Sequence, residues 1–466
     1  MSREEKIRAV LARVIIRIRP DAEEVAAIQR VAARLITAVQ ASGAAEPMVV
    51  GSVARSTFVK GDRDLDLFML FPPDLSREAL EEQGLELARS LATQFAGSFQ
   101  EKYAEHPYIN TTIDGIDVDL VPCFKVASAT AIQSAVDRTP FHTRYVIARI
   151  GDLADDVLLL KQFAKACGVY GSDQMTEGFA GYLCELLVLY YGGFLQVLTA
   201  AAEWRSRTVI DPEQHATKTF DEPLVVVDPV DPNRNVSASV SLSRMFEFVE
   251  MARGFLEHPG EEFFLVPNPE PISREDLFAL LETRGTCLCA VIFATPPFIE
   301  DVVVPQLRRS LKGTCHLLER SEFMINRADV CMGENQCMLL FELLAPSVAH
   351  VRRHIGPPLS SRENAEKFME KYSDPCLSLA GPYIEDERYV VEVLRQFTTP
   401  EGLLSSETLL AVSLGKHVRR SLKKGWEVTL GGDCWSEEFA CFLNSFMNAS
   451  SPLVRLLQRE AGRDKD

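Results

Sequence analysis

Residues 51–71 read GSVARSTFVKGDRDLDLFMLF. Gly51 and Ser52 follow directly on an apolar run, residues 48–50. A glycine there lets the backbone turn sharply and approach a bulky anion. Ser52 adds a hydroxyl, and Arg55 a fork of donors suited to phosphate oxygens. The second part, residues 64–71, reads DLDLFMLF and predicts a strand entering a core. Strand side chains alternate, so Asp64 and Asp66 share one face and Leu65 and Leu67 the other. Asp-x-Asp alone is more often a solvated loop, but here it runs straight into a hydrophobic strand. Adjacent carboxylates repel, and a divalent cation relieves that repulsion.

The flanks predict a small α/β domain. Residues 1–41 show helical periodicity broken at Arg19-Pro20, with Val10, Ile15, Ile28, Leu35 and Val39 facing a core. Residues 76–96 predict a second helix, with Ser76 as cap and Glu78 in its first turn. Residues 108–124, YINTTIDGIDVDLVPCF, predict another strand that Pro122 ends. Asp117 and Asp119 share a face of it, and either could stand beside Asp64 and Asp66 as a third carboxylate.

The chain has 466 residues, 47% hydrophobic and 25% charged, enough for two or three domains with real cores. A net charge of −17 excludes a basic nucleic-acid wrapper, so any such contact must come from local patches. Eleven cysteines are scattered without a CxxC pair; only Cys287 and Cys289 are close, and no histidine cluster accompanies them. They read as reduced thiols of a cytoplasmic protein. Charge throughout residues 1–19 argues against a signal peptide.

Glycine-serine followed by Asp-x-Asp on a strand resembles the nucleotidyltransferase superfamily typified by DNA polymerase beta. The resemblance implies that Gly51 and Ser52 hold a triphosphate and that the carboxylates hold magnesium. Four further stretches, AVDRTPFH at 135–142, LLLKQFAKACGVYG at 158–171, GFAGYLCE at 178–185 and VVDPVDPNRN at 226–235, narrow it. With a weaker echo at 381–393, they are similar, in order, to the archaeal (class I) CCA-adding enzymes, tRNA nucleotidyltransferases. The likeness runs from about residue 48 to 393. Ser56 departs from it, standing where these enzymes often have glycine.

That resemblance assigns roles. Asp119, which precedes Leu-Val-Pro, becomes the third carboxylate beside Asp64 and Asp66. His142, Lys161 and Tyr170 complete a triphosphate clamp with Ser52 and Arg55, and Arg234 helps recognise the incoming base. Some residues carry hints of their own. A lysine on an amphipathic helix is usually solvated, yet Lys161 follows three leucines directly. Tyr170 follows a helix stop at Gly168. Arg234 is expected at the start of a helix over 239–255, after the Asp-Pro-Val-Asp-Pro turn, with Asn235 as a candidate cap.

Residues 178–202 hold one charge, Glu185, in 25 residues, long enough to span a bilayer. Gly192-Gly193, Gln196 and the lack of a second such segment favour a buried helix. Residues 256–285 predict a linker. Strands at 287–294 and 336–343 with a helix at 301–313 fit a ferredoxin-like or similar α+β unit. Residues 350–358 predict a basic loop. Residues 416–424, KHVRRSLKK, hold five Lys or Arg with one His and no acid. They are either an exposed helix face or a tRNA-backbone patch of Arg419, Arg420, Lys423 and Lys424.

The expected fold is a multi-domain α/β plus α protein. A nucleotidyltransferase head covers 1–145, a helical central domain 146–265, and an α+β C-terminal RNA-binding body and tail 266–466. The resemblance implies template-free addition of CCA to tRNA 3′ ends from CTP and ATP with Mg2+, releasing pyrophosphate. The partners are then the tRNA acceptor stem and adjoining arm, with no membrane; a homodimer stays open. Two rivals are a nucleotidyltransferase with another acceptor, such as a poly(A) polymerase or small-molecule adenylyltransferase, and a non-catalytic RNA-binding protein.

Overall fold

The computed structural model describes residues 2–103 and 107–463. Two compact units make up the chain: Met1–Pro267 with Ser450–Asp466, and Asn268–Ala449.

Two helices open the first unit. The first, α1 (Arg3–Ile18), has a Ser2/Glu5 capping box, and α2 (Ala22–Ser42) is capped by Asp21 and stops at Gly43. The break falls at Arg19-Pro20 as expected, because proline cannot continue a helix. There follow β1 (Glu46–Val50), the single turn α3 (Gly51–Ala54), β2 (Asp64–Phe71), α4 (Arg77–Phe95), β3 (Gln100–Tyr103), β4 (Pro107–Ile113) and β5 (Ile116–Phe124). Ser76 caps α4 as predicted, its hydroxyl accepting from the Ala79 N–H at 3.2 Å. The sheet order is β1-β2-β5-β4-β3, with β2 and β5 parallel. Leu65, Leu67, Val118 and Leu120 pack against Leu35, Val39, Leu80 and Ala88 of α2 and α4. That burial turns the opposite side chains, the aspartates, to the other face.

Residues 108–124 form a hairpin instead of one strand. Asp114 (φ 52°) and Gly115 (φ 78°) supply the two positive dihedrals that a tight hairpin turn needs. Pro122 does not end β5, which runs on to Phe124 beside β2. The pairing with β4 reaches only Leu120, so the missing N–H falls at the sheet's margin.

The helical core comes next: α5 (Thr139–Ile147), α6 (Ala154–Cys167), α7 (Gly181–Tyr191), α8 (Phe194–Ala201), β6 (Thr208–Ile210), β7 (Leu224–Asp228), β8 (Asp231–Asn235) and α9 (Leu242–Glu257). Phe163 sits at its centre, ringed by Phe194, Phe248, Phe255, Phe263 and Phe264 at 5.7–6.4 Å between ring centres. The first helix belongs here: Ile7, Val10, Val14 and Ile18 are buried with α6 and α7. The head's own core therefore begins at α2, not at residue 1. No single described helix is long and apolar enough to cross a membrane. The bent pair α7–α8 matches a span in length and composition, but turns by 93° at Gly192-Gly193. Its Leu183, Leu186, Leu187, Val188, Val197 and Leu198 all lie in the core.

Arg234 lies on strand β8, not at a helix start. Asp228 pairs with Asp231 and Val227 with Asn235. Asn235 caps no helix; its Oδ1 accepts from the Val226 and Ser237 N–H groups. Helix α9 starts three residues later than predicted, capped by Ser241.

In the second unit, α10 (Arg274–Arg284) leads into β9 (Cys287–Ala294), α11 (Glu300–Arg320), β10 (Ile325–Met332) and β11 (Gln336–Leu343). Next come β12 (Val351–Pro358), α12 (Arg362–Tyr372), β13 (Ala380–Glu385), β14 (Arg388–Leu394), α13 (Pro400–Leu404), α14 (Lys416–Leu422), β15 (Glu427–Leu430) and α15 (Ala440–Met447). The sheets order as β10-β11-β9-β15 and β12-β14-β13. With β11 between β9 and β10, β9-α11-β10 is a split β-α-β, in keeping with the ferredoxin-like expectation. Helix α11 outruns its predicted end at Gly313, where absence of a Cβ lets the Ser413 backbone pack close. The predicted basic loop at 350–358 is instead strand β12, registered against β14 from Val351–Leu394 to Pro358–Arg388. The last helix, α16 (Pro452–Arg463), returns to the first unit and packs on α9.

Glu342 on β11 is fully buried and accepts from Arg284, Arg327, Asn326 and Thr286. Burial alone would raise its carboxyl; Arg284, Thr286 and Asn326 outweigh burial and hold it at about 2. A carboxyl depressed in the folded state adds stability above its unfolded value, and that share disappears as pH falls toward 2. Glu342→Gln is expected to cost about 2–3 kcal/mol at neutral pH. The deficit should shrink between about pH 5 and pH 2 as the parent's own advantage is lost. Urea melts across that range check it, and a pH-independent difference would refute the ionic contribution.

Candidate active site

Strand register places the sequence motifs against each other. Val50, the last residue of β1, lies opposite Asp66, and Asp66 lies opposite Asp119 across the parallel β2–β5 ladder. Gly51 is therefore delivered against Asp66. Its φ is +70°, and a Cβ there would overlap Asp66 Oδ2. Ser52 is half-buried in the turn, where its carbonyl accepts from the Thr57 N–H at 2.9 Å. The Gly-Ser turn and the Asp-x-Asp strand form one surface.

Burial, then repulsion from Asp119 and Asp64, pushes the Asp66 carboxyl up to about 6, with Arg55 opposing. Asp64 is raised by burial and by Asp62, Asp117 and Asp119; Asp119 is raised chiefly by burial. Asn110 Nδ2 donates to Asp119 at 2.8 Å and to Asp117 at 3.0 Å. Asp117, exposed, stands opposite Asp64, whereas Asp119 is half-buried opposite Asp66. Crowded carboxylates held above their ordinary range fit a hard divalent cation. Among the described residues no three such side chains already converge on one point.

Arg55 and Lys161 meet in the interior, 8% and 2% exposed. Lys161 Nζ donates to the Thr57 carbonyl at 2.8 Å and lies 3.5 Å from Glu185 Oε1. Arg55 Nε is 3.2 Å from the same oxygen. Burial pulls the Lys161 ammonium below its ordinary range, against the pull of Glu185. Tyr170 is half-buried nearby, with Lys165 Nζ 5.3 Å from its ring centre.

A second cluster gathers on Asp228, which is fully buried. His142 Nε2–H donates to Asp228 Oδ2 at 2.8 Å, Arg234 donates to the same oxygen at 2.8 Å, and Tyr182 donates to Oδ1 at 3.4 Å. Burial alone would raise Asp228; His142, the Val230 N–H and Arg234 hold it below its ordinary range. Burial lowers His142, with Asp228 opposing. Tyr182 joins the clusters: it stacks on His142 at 4.1 Å and faces the Arg55 guanidinium at 5.9 Å. The arrangement is a row of carboxylates beside a glycine turn, then two buried cations, then an arginine braced on a carboxylate. That set can bind a metal-linked polyphosphate and leave one guanidinium for a base edge.

Glu185, Asp228 and Tyr182 escaped sequence reasoning. Glu185 left a signal, as the only charge in residues 178–202. Asp228 looked like turn chemistry, and Tyr182 stood inside the 178–185 stretch without being given a role.

In the second unit the basic run forms α14 over Lys416–Leu422, with Lys423 and Lys424 in the turn that follows. Lys416, Arg420, Lys423 and Lys424 are exposed. Arg419 is not available as expected: its guanidinium caps the carbonyls of Leu410 and Val412.

Three family models match in order. They are a nucleotidyltransferase domain at residues 33–142, the second domain of tRNA nucleotidyltransferase at 155–265, and the C-terminal domain of CCA-adding enzyme at 284–431. The chain is 60% identical over 447 residues to the CCA-adding enzyme of Methanoregula boonei, spanning 96% of this chain and 97% of that one. It is 43% identical over 445 residues to the CCA-adding enzyme of Haloarcula marismortui, spanning 91% and 94%. Among solved structures, the Cid1 poly(U) polymerase aligns over 57% of this chain and all of its own, at 18% identity and a TM-score of 0.45.

Proposed function

The chain belongs to the CCA-adding enzyme family, and from that premise we propose that Asp64, Asp66 and Asp119 are its catalytic carboxylates. The observation that carries the reading is the register setting Asp66 between Gly51 and Asp119. The family implies tRNA and nucleotides as substrates; CTP, ATP and Mg2+ are the finer reading. A divalent cation held by the three aspartates would lower the pKa of the primer 3′-hydroxyl and offset charge on the α-phosphate. Ser52, Arg55, His142, Lys161 and Tyr170 bind and orient the triphosphate, and burial of Arg55 and Lys161 strengthens their pull on it. The hydroxyl attacks the α-phosphate and pyrophosphate leaves. Eleven free cysteines support a reducing compartment such as the cytoplasm.

The direct test is incubation with tRNA lacking CCA and each labelled triphosphate in turn. Addition of C, C and A, and of neither U nor G, is expected. Addition of a single nucleotide type without limit would favour a poly(A) polymerase-like acceptor.

Arg234 is the base-reading residue of this proposal. Its guanidinium is braced on Asp228 and its side chain remains 35% exposed. Arginine donates and cannot accept, which suits cytosine O2 and N3 or adenine ring nitrogens. Arg234→Ala should lower efficiency with CTP and ATP by roughly tenfold or more and raise UTP and GTP misincorporation. Single-nucleotide extension of tRNA ending at the discriminator base, at C and at CC measures this. Unaltered fidelity at all three steps would return Arg234 to a structural role.

The exposed basic residues of α14 and the turn after it are proposed to contact tRNA backbone. Neutralising Lys416, Arg420, Lys423 and Lys424 together should raise the KM for tRNA and flatten its salt dependence. Each lost phosphate contact removes about one unit of log–log slope. Arg419→Ala should instead lower thermal stability, because two carbonyls lose their donors. A salt slope equal to the parent's would leave a solvated helix face.

A further inference from the structure

We infer that Glu185 is a positioning residue of the nucleotide clamp, its buried carboxylate holding Lys161 charged and both Lys161 and Arg55 in place until a triphosphate takes that role over. The inference rests on the clamp reading proposed above. Glu185 is fully buried on α7. One oxygen, Oε1, accepts from Thr57 Oγ1 at 2.5 Å and faces Arg55 Nε at 3.2 Å and Lys161 Nζ at 3.5 Å. The other oxygen, Oε2, is buried without a hydrogen-bond partner, and so is Arg55 Nε. A buried polar network that serves only the fold is normally closed, with every group matched. This one keeps a spare acceptor, a spare donor and, over its three ionisable members, one excess positive charge. It is incomplete as a structural ion pair, and its spare donor and excess positive charge suit an incoming anion.

The coupling follows from Coulomb's law in a low-dielectric interior. Arg55 and Lys161 both face the same carboxylate oxygen. Remove the carboxylate, and the cheaper response is for Lys161 to give up its proton. The groups facing Lys161 are Glu185 and Cys184 on α7 and Arg55 after α3. The Tyr170 hydroxyl lies above Gly181, beside the lysine's terminal atoms. Of these, only Glu185 sits in hydrogen-bonding range with a charge that favours the ammonium. A bound triphosphate would supply the same favour, so the dependence on Glu185 should be strongest in the free enzyme.

Glu185→Gln keeps the shape and an acceptor and removes the charge. Extension of tRNA is measured with CTP and with ATP from about pH 6 to pH 9, beside the parent. The alkaline limb of kcat/KM should move down by about 1–3 pH units, equally for both nucleotides. The limb of kcat should move less, since it reports the nucleotide-bound enzyme. Lys161→Met should raise both nucleotide KM values by roughly tenfold or more and abolish the limb, so that adding Glu185→Gln moves nothing further. A parental limb in Glu185→Gln, with Lys161→Met still impaired, overturns the inference and leaves the clamp standing. Unimpaired nucleotide binding in Lys161→Met overturns the clamp reading itself. Should Glu185→Gln fail to fold by circular dichroism, Glu185→Asp retains the charge. It should then keep the parental limb at a raised KM, and a limb displaced as for a neutral side chain would refute the positioning role.

Discussion

Asp66→Asn and Asp64→Asn are each expected to lower CCA addition by roughly a thousandfold or more, about 4 kcal/mol of transition-state stabilisation. Both carboxylates lie on the sheet face left free when Leu65 and Leu67 enter the core. Loss of activity alone would not separate a metal ligand from a fold residue, but stability does. The Asp66 carboxyl is raised from 3.8 to about 6, first by burial and then by Asp119 and Asp64. A carboxyl raised in the folded state stabilises the fold while it holds its proton. That share is complete below its unfolded value near pH 4 and is gone once the pH passes about 6. At pH 7.5 the parent therefore carries a half-buried charge that Arg55 only partly offsets, and asparagine removes it. Asp66→Asn should be more stable than the parent by about 1–3 kcal/mol without magnesium, and melt higher. Magnesium should raise the Tm of the parent and leave that of the variant nearly still. Near-parental turnover in either variant would end the metal assignment; a steep fall in Tm would recast Asp66 as a fold residue. Asp119→Asn should lose activity alike, while Asp117→Asn, exposed and opposite Asp64, should keep it.

The head was legible because two of its rules are local. Strand alternation alone told which face of 64–71 carries the aspartates, and proline and capping chemistry told where the helices break and begin. What stayed hidden depended on pairing partners. Nothing local tells that β5 runs parallel to β2 with Asp119 opposite Asp66. Asp117 and Asp119 could only be told apart by resemblance until that register was known. The same limit explains β12. Residues 350–358 hold His350, Arg352, Arg353 and His354 and look solvated, but β14 supplies a ladder that sequence could not show. Arg234 was misplaced for a related reason: Asp-Pro-Val-Asp-Pro reads as a turn into a helix, while Asp228 and Asp231 actually close a short hairpin. Helix α1 shows amphipathicity without an address, since periodicity tells that a face is buried and never against which core.

The clamp shows the limit more sharply. Resemblance named the cations, Arg55 and Lys161. It did not name what keeps them inside, because a countercharge 24 residues along the chain from Lys161 leaves no spacing signature. Glu185 closed the 178–185 stretch without being given a role, and otherwise showed as a lone acid in an apolar segment. Burial of an acid there is costly unless it is paired, and the structure supplies the pairing as Arg55 and Lys161. Asp228 was hidden because aspartate before proline is ordinary turn chemistry, and only the fold shows three side chains converging on it.

Gly51→Ala should prove strongly damaging through geometry alone, with no carboxylate removed. Gly51 holds φ +70°, which costs an L-residue about 1–2 kcal/mol. Its added methyl would also overlap Asp66 Oδ2 and press on that side chain's Cγ. Asp66 cannot retreat freely, since its neighbours Leu65 and Leu67 are locked in the core and Asp119 stands across the ladder. The turn must therefore move, and with it Ser52, or Asp66 must rotate off its present direction. A misplacement near 1 Å at a reacting centre costs about a hundredfold. A fall in kcat/KM of that size or more is expected, with circular dichroism unchanged because the strain is confined to one turn. The magnesium dependence identifies which response wins. Displacement of Asp66 should raise the magnesium concentration needed for half-maximal rate, whereas Ser52→Ala, which removes only a triphosphate donor, should raise the nucleotide KM and leave that concentration as it is. A Gly51→Ala enzyme with parental rate and parental magnesium dependence would show that the turn relaxes without disturbing Asp66, and the coupling of glycine turn to carboxylate strand would have to be abandoned.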